Sequence, residues 1–414
     1  MRSGAPDTNP DIQKVSDDGE TVGMMEPMLI GESSPRRSAI ADLALELAEK
    51  AAGFRRSLPP SIAASLADLV RSMNCYYSNL IEGHDTHPID IERALEEDYS
   101  QNAERRDLQL EARAHIVVQK WIDGGGLTDR VFTWNGLRET HSRFCSLLPE
   151  ELLWAKDREG KKRIKVVPGE LRTTHIKVGN HIAISPPAIP RFLARFEEAY
   201  GGRLGRVDSI LAAACAHHRL VWIHPFLDGN GRVARLLSHA ALLGTLETGA
   251  LWSVARGLAR NVEEYKRHLA NCDQPRRNDL DGRGTLSEEM LAEFVVFFLK
   301  TCIDQVDFME TLTQPDQLRV RIAMWAETET RLGNLPPKAK DVLEALQYRG
   351  ELPRGDLAGI VGTGDRQARR IVSALSDHGV IASESTRAPI RLAFPARLAG
   401  RWMPGLFPDK VGEP

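Results

Sequence analysis

The sequence has no long apolar run, no clustered cysteines and almost no net charge, and each lack removes a class of function. No stretch approaches the roughly 20 apolar residues that span a bilayer, and the N-terminus lacks a charged-then-apolar export signal. A cytoplasmic protein without a membrane partner is therefore expected. Five cysteines, Cys75, Cys145, Cys215, Cys272 and Cys302, are scattered with no C-x-x-C spacing, which argues against a zinc site and a disulfide framework alike. A formal charge of -3 gives no global pull towards nucleic acid or a membrane surface. There is no internal repeat either. What remains is a 414-residue chain, 42% hydrophobic and 27% charged, the composition of a soluble globular protein and longer than one ordinary domain.

Residues 1–36 are poor in aromatics and mix Pro, Gly, Asp and Ser, which predicts a disordered tail that ends where Ser34-Pro35 opens the first helix. From Ser61 to Leu80 apolar residues recur at helical spacing, with Ile62, Leu66, Leu69, Val70, Met73, Tyr77 and Leu80 forming one stripe. Thr174-His175-Ile176-Lys177-Val178, then Gly179-Asn180, then His181 to Ser185 read as a β-hairpin closed by the Gly-Asn pair. Gln274 to Ser287 reads as an exposed loop.

The densest chemistry lies in His224-Pro-Phe-Leu-Asp-Gly-Asn-Gly-Arg-Val-Ala-Arg235. Ser209 to Ile223 predicts a helix that Pro225 stops, leaving the His224 imidazole on the lip of a loop. Asp228-Gly229-Asn230-Gly231 can take the positive φ angles that converge backbone N–H groups into an anion nest. A second helix from about Arg232 adds the positive end of its dipole. Arg232 and Arg235 share one face of its first turn, where cations oppose the dipole, an arrangement that makes sense when a polyphosphate is bound. Asp228 is placed to hold Mg2+ against such phosphates. Read piece by piece, Asp-Gly-Asn-Gly is also a common turn and a His before Pro a common helix end.

The whole stretch resembles the signature H-P-F-x-[D/E]-G-N-G-R-x-x-R of the Fic family and meets every specified position. The resemblance implies a mainly helical core with a β-hairpin flap, and transfer of AMP from ATP to a Ser, Thr or Tyr hydroxyl of a protein target or of the chain itself. It makes His224 the base, Asp228 the Mg2+ ligand, Gly229, Asn230 and Gly231 the α- and β-phosphate cradle, Arg232 and Arg235 the β- and γ-phosphate contacts, and Phe226 the anchor of the loop. Ser78-Asn-Leu-Ile-Glu82-Gly83 resembles the family's inhibitory motif in the class that carries it N-terminally in the same chain. Glu82 would then pair with Arg235 and misplace ATP; the plainer reading is a helix that ends at Gly83. The hairpin would be the flap that docks the target, and Tyr265 a nucleotide contact, although Lys266 departs from the usual second tyrosine. Removal of AMP, or use of another nucleotide, would employ the same groups.

His217 and His218, being neighbours on a helix, point about 100° apart and do not suit one shared metal ion. Beyond a polar linker at 312–334, residues 335–414 resemble a winged helix-turn-helix whose third helix shows Arg366, Arg369 and Arg370. Duplex DNA and a second copy of the chain are thus further candidate partners, and a DNA-binding regulator with a nucleotide-sensing core is the alternative from a different class. The expected order is tail 1–36, Fic domain with inhibitory helix 37–311, linker 312–334 and smaller module 335–414.

Overall fold

The computed structural model describes residues 15–156 and 163–408. Two long helices, α1 (Arg37–Ser57) and α2 (Pro60–Ile81), open the core. Pro60 stands at the first helical position of α2, where its missing N–H costs nothing. The helices α3 (Pro88–Leu95), α4 (Ala103–Asp123) and α5 (Trp134–Ser146) follow, then the hairpin β1 (Trp154–Lys156) with β2 (Arg163–Lys165) and the shorter hairpin β3 (Lys177–Val178) with β4 (His181–Ile182). Next come α6 (Ile189–Tyr200), α7 (Arg206–Ile223), α8 (Asn230–Leu246), α9 (Val254–Arg260), α10 (Val262–Cys272) and α11 (Glu288–Leu312). Every residue of α7 from Ile210 to Leu220 is buried, so this helix runs through the middle of the core with no solvent face. Its run of Ala212, Ala213, Ala214 and Ala216 lets α8 lie close against it. The loop joining α7 to α8 is the one that carries His224 and Asp228.

Residues 15–36 do not form the disordered tail that their composition suggests. Val22–Met25 is a short 3-10 helix, and Met25, Met28 and Ile30 are buried. The Met28 carbonyl accepts from the Tyr200 hydroxyl at 2.5 Å, and the Pro27 carbonyl from the guanidinium of the fully buried Arg219 at 2.7 and 3.2 Å. The segment is ordered because buried donors elsewhere need its carbonyls, which local composition does not record. Residues 1–14 of the expected tail lie outside the described residues.

The expected linker is likewise a helix, α12 (Pro315–Arg331), with Leu318, Ile322, Trp325 and Ala326 buried on one face. It belongs to the C-terminal module, packing on α13 (Ala339–Arg349) and on the last helix α16 (Ala399–Trp402), where Trp325 meets Trp402 edge-on at 5.2 Å. Between these lie α14 (Leu357–Val361), α15 (Asp365–Asp377) and a three-stranded antiparallel sheet. In that sheet β7 (Ile390–Leu392) sits between β5 (Glu351–Leu352) and β6 (Ile381–Ala382). The chain end then returns to the core: the Tyr77 hydroxyl of α2 donates to the Leu406 carbonyl at 3.0 Å, and Tyr76 packs edge-on against Phe407. No helix among the described residues is long and apolar enough to cross a membrane.

Candidate active site

His224 ends α7 in the left-handed region, φ 51° and ψ 60°, a conformation that costs a non-glycine residue about 1–2 kcal/mol. Its N–H bonds Leu220 O at 2.9 Å, and its Nδ1 lies 3.3 Å from Val221 O. The proton therefore sits on Nδ1 and Nε2 keeps its lone pair. Burial, then the charge of Arg172, hold the imidazole down at about 4, so it is neutral at physiological pH.

The loop that follows is closed by its own side chains. Asn230 spans back to Phe226, its Oδ1 accepting from Phe226 N at 3.0 Å and its Nδ2 donating to Phe226 O at 2.8 Å. The backbone N–H of Asn230 is left to meet a ligand. Gly229 caps α8 at φ 80°, and the first turn leaves the N–H groups of Asn230, Gly231 and Arg232 without intrahelical acceptors. Asp228 is exposed at the mouth; one carboxylate oxygen accepts from Gly229 N at 2.6 Å. Phe226 is fully buried, as an anchor should be, and stacks on His141 at 3.9 Å between ring centres.

Both arginines of α8 are buried and already held. Arg235 pairs with the Glu82 carboxylate, and its Nε and Nη2 donate to the Ser78 hydroxyl at 2.9 Å and carbonyl at 3.2 Å. Ser78 lies in the last turn of α2 and Glu82 just beyond it. Burial pushes the Glu82 carboxyl up, but the charges of Arg235 and Arg232 outweigh it and hold it below the usual range. A Cβ added at Gly231 would lie 2.6 Å from Glu82 Oε1, so the carboxylate sits against the N-terminus of α8, where an anion is favoured. Arg232 pairs with Glu111 of α4 at 3.1 Å, and His84 shares that carboxylate at 2.6 Å. Arg232 Nε is buried without a partner among the described residues.

The hairpin is present but its ladder is short. Lys177 pairs with Ile182 and Val178 with His181, whereas the sequence pattern runs from Thr174 to Ser185. Thr174 and His175 are partly exposed and Ile176 is buried, while Lys177 and Val178 are exposed. The ladder stops because Arg172 takes the carbonyls of Thr174 and Ile184 for its own guanidinium, at 2.9 and 2.5 Å. His181 Nε2 ties the hairpin to Trp222 O at 2.8 Å.

Tyr265 is buried, with its hydroxyl 2.6 Å from His217 Nε2, so the structure places it in the core rather than on an open wall. His217 also meets the Ser238 hydroxyl at 2.9 Å, while His218 turns to Asp273 at 3.0 Å.

Sequence reasoning missed two participants, and placed a third, Arg172, only as part of the flap pattern. Glu111 holds Arg232 from 121 positions away. His141 accepts from Gly169 N on Nδ1 at 2.9 Å and so donates from Nε2 to Asp228 O at 3.2 Å, fixing the loop from beneath. Arg172 binds the main chain of the loop itself. Glu111 and His141 stand in no local motif, and for Arg172 only the contacts reveal what it holds.

Residues 139–242 match the model of the Fic/DOC family. Over 76 residues the chain is 40% identical to the protein adenylyltransferase Fic of Drosophila grimshawi, and over 80 residues 44% identical to that of Culex quinquefasciatus. Each match takes in 18% of this chain and only 16% and 15% of the relative's length. The fold is similar to that of a Fic family protein from Desulfovibrio desulfuricans G20, with a TM-score of 0.51 at 17% identity over 88% of this chain and 98% of that one.

Proposed function

We propose that this chain, which carries a Fic domain, is a protein adenylyltransferase restrained by its own helix α2. The observation that carries the reading is one loop and helix start bearing a neutral base, an anion-binding helix N-terminus and two buried arginines, one of them occupied by Glu82. In the reaction, a target hydroxyl oxygen attacks the α-phosphorus of ATP and gives its proton to His224 Nε2, while the bond to the β-phosphate bridging oxygen breaks and pyrophosphate leaves. The charge of the leaving group falls on the N–H groups at the start of α8 and, once they are released from their carboxylates, on Arg232 and Arg235. The unpartnered Nε of buried Arg232 supports a ligand oxygen there, since an unmet buried donor costs about 1–3 kcal/mol. Asp228 suits Mg2+: a single exposed carboxylate with one oxygen uncommitted, completed by phosphate oxygens, is a donor set that Mg2+ accepts. When bound, the ion would neutralise charge on the polyphosphate.

Restraint follows from the same geometry. While Glu82 and Ser78 hold Arg235, the terminal phosphate has no cation to bind and the α-phosphorus is not set in line with the base. The hairpin offers exposed Val178 and Ile182 and a free edge to an extended target segment, which is either another protein or a copy of this chain. Label from α-labelled ATP incorporated by Glu82→Gly protein, with none from γ-labelled ATP, is the expected result. Incorporation from the γ-position would mean phosphate transfer instead, and release of AMP from a modified protein would favour the reverse reaction.

The order α13, β5, α14, α15, β6, β7 supports reading the C-terminal module as a winged helix. Arg366, Arg369 and Arg370 on α15 are exposed, with no ion pair among the described residues, which supports duplex DNA as a second partner. A salt-dependent gel shift lost in Arg369→Glu/Arg370→Glu is expected, and no shift at low salt would dismiss it. All five cysteines are free and buried, which fits the reducing conditions of a cytoplasmic location.

A further inference from the structure

Arg172 is 3% exposed and forms no ion pair among the described residues. Among the described residues its hydrogen bonds go to carbonyls, His224 O at 2.7 Å, Thr174 O at 2.9 Å, Ile184 O at 2.5 Å and Ile223 O at 3.5 Å from its guanidinium, and the charge of Glu20 acts on it without a direct contact. Its own N–H donates to Pro225 O at 2.9 Å. A buried cation is an expensive way to fill space, and a packed apolar side chain would serve stability as well or better. The site tolerates it because Ile223 and His224 form the C-terminal, negative end of α7. Two of the carbonyls belong to the hairpin and two to the turn that presents the imidazole, so one planar fork spans both.

We propose that Arg172 is a positioning residue that locks the hairpin and the His224 turn into a single rigid unit, fixing the distance between a docked target hydroxyl and the base. This rests on the transfer reading given above. Without Arg172 the left-handed backbone of His224 loses the donor on its carbonyl, and the hairpin loses both tethers at its root. Lysine cannot replace it, since an ammonium on a flexible stem does not reach carbonyls lying in several directions from one plane.

The test uses the Glu82→Gly protein as parent, with Arg172→Met and Arg172→Lys added singly. Self-modification at saturating ATP should fall about 100-fold in both, the scale expected when a reacting group is misplaced by about 1 Å. ATP affinity measured by calorimetry should be unchanged, because Arg172 does not touch the phosphate-binding elements. The His224 imidazole, followed by NMR titration, should move up in Arg172→Met, which removes a cation, and stay low in Arg172→Lys, which keeps one. Of the other charged groups facing that ring, His181 is the same in both variants and Glu82 is absent from both. Parental rates in either variant would overturn the proposal, as would rate, ATP affinity and melting temperature all falling together. If the parent forms no adduct, the transfer reading fails, and the titration with hairpin amide exchange still decides whether Arg172 governs the turn: an unmoved imidazole and unchanged exchange in Arg172→Met would overturn it.

Discussion

The two arginines that would meet the leaving pyrophosphate are held by carboxylates from different helices, so they are released by different changes. Removing Glu82 frees Arg235 and leaves Arg232 paired with Glu111. For Glu111 burial pushes the carboxyl up, yet the hydrogen bond from His84 and the charge of Arg232 bring it below its usual range, so it stays an anion and competes with phosphate. Glu111→Gln added to Glu82→Gly is expected to tighten ATP binding about tenfold, the ~1.4 kcal/mol that one charge-assisted contact contributes. Calorimetry checks this, and unchanged affinity would show that Glu111 does not compete. His224, Asp228, Arg232 and Arg235 were legible in the sequence because they fall within twelve consecutive residues whose order encodes a turn and a helix start. Glu111 and His141 were not, and Arg172 was legible only as part of the flap pattern, because what they do depends on helices and a hairpin root brought together from distant parts of the chain.

Among the elements, α2, α7 and the hairpin could be read from periodicity and turn chemistry, and α2 spans Pro60–Ile81 much as its apolar stripe predicts. In α12 the face bearing Leu318, Ile322, Trp325 and Ala326 has helical spacing, but arginines and glutamates between those positions dilute it into the look of a linker. Trp325→Ala tests the assignment: as a core residue its loss should destabilise by about 3–5 kcal/mol, whereas in a solvated linker the change would stay within about 0.5 kcal/mol. Chemical denaturation followed by circular dichroism separates the two. The hairpin is short for a reason that no pattern of strand residues holds, namely that a neighbouring guanidinium claims its outer carbonyls.

At the scale of the molecule, the core takes up many imidazoles and keeps them neutral. Burial holds His115 and His217 down at about 3, and His141, His218 and His224 at about 4. Each binds its proton more weakly in the folded chain than in the unfolded one, where the value is about 6.5. Between those values the unfolded chain carries more protons, so stability rises with pH and is lost as pH falls from about 6.5 towards 4. The melting temperature should therefore drop already between about pH 6.5 and pH 5, above the range where ordinary carboxylates titrate; a flat profile there would contradict the burial of these rings. The C-terminal module braces the same assembly, since Leu406 and Phe407 seat on Tyr77 and Tyr76, one and two residues before the Ser78 that holds Arg235.

The central claim, a His224-dependent transfer of AMP restrained by Glu82, is met most directly by intact-mass measurement after incubation with ATP and Mg2+. Wild type, Glu82→Gly and Glu82→Gly/His224→Ala are compared side by side. The account predicts one or more added AMP groups on Glu82→Gly, far fewer on wild type and none on the double variant. Equal modification of wild type and Glu82→Gly, or an adduct that survives His224→Ala, would contradict it.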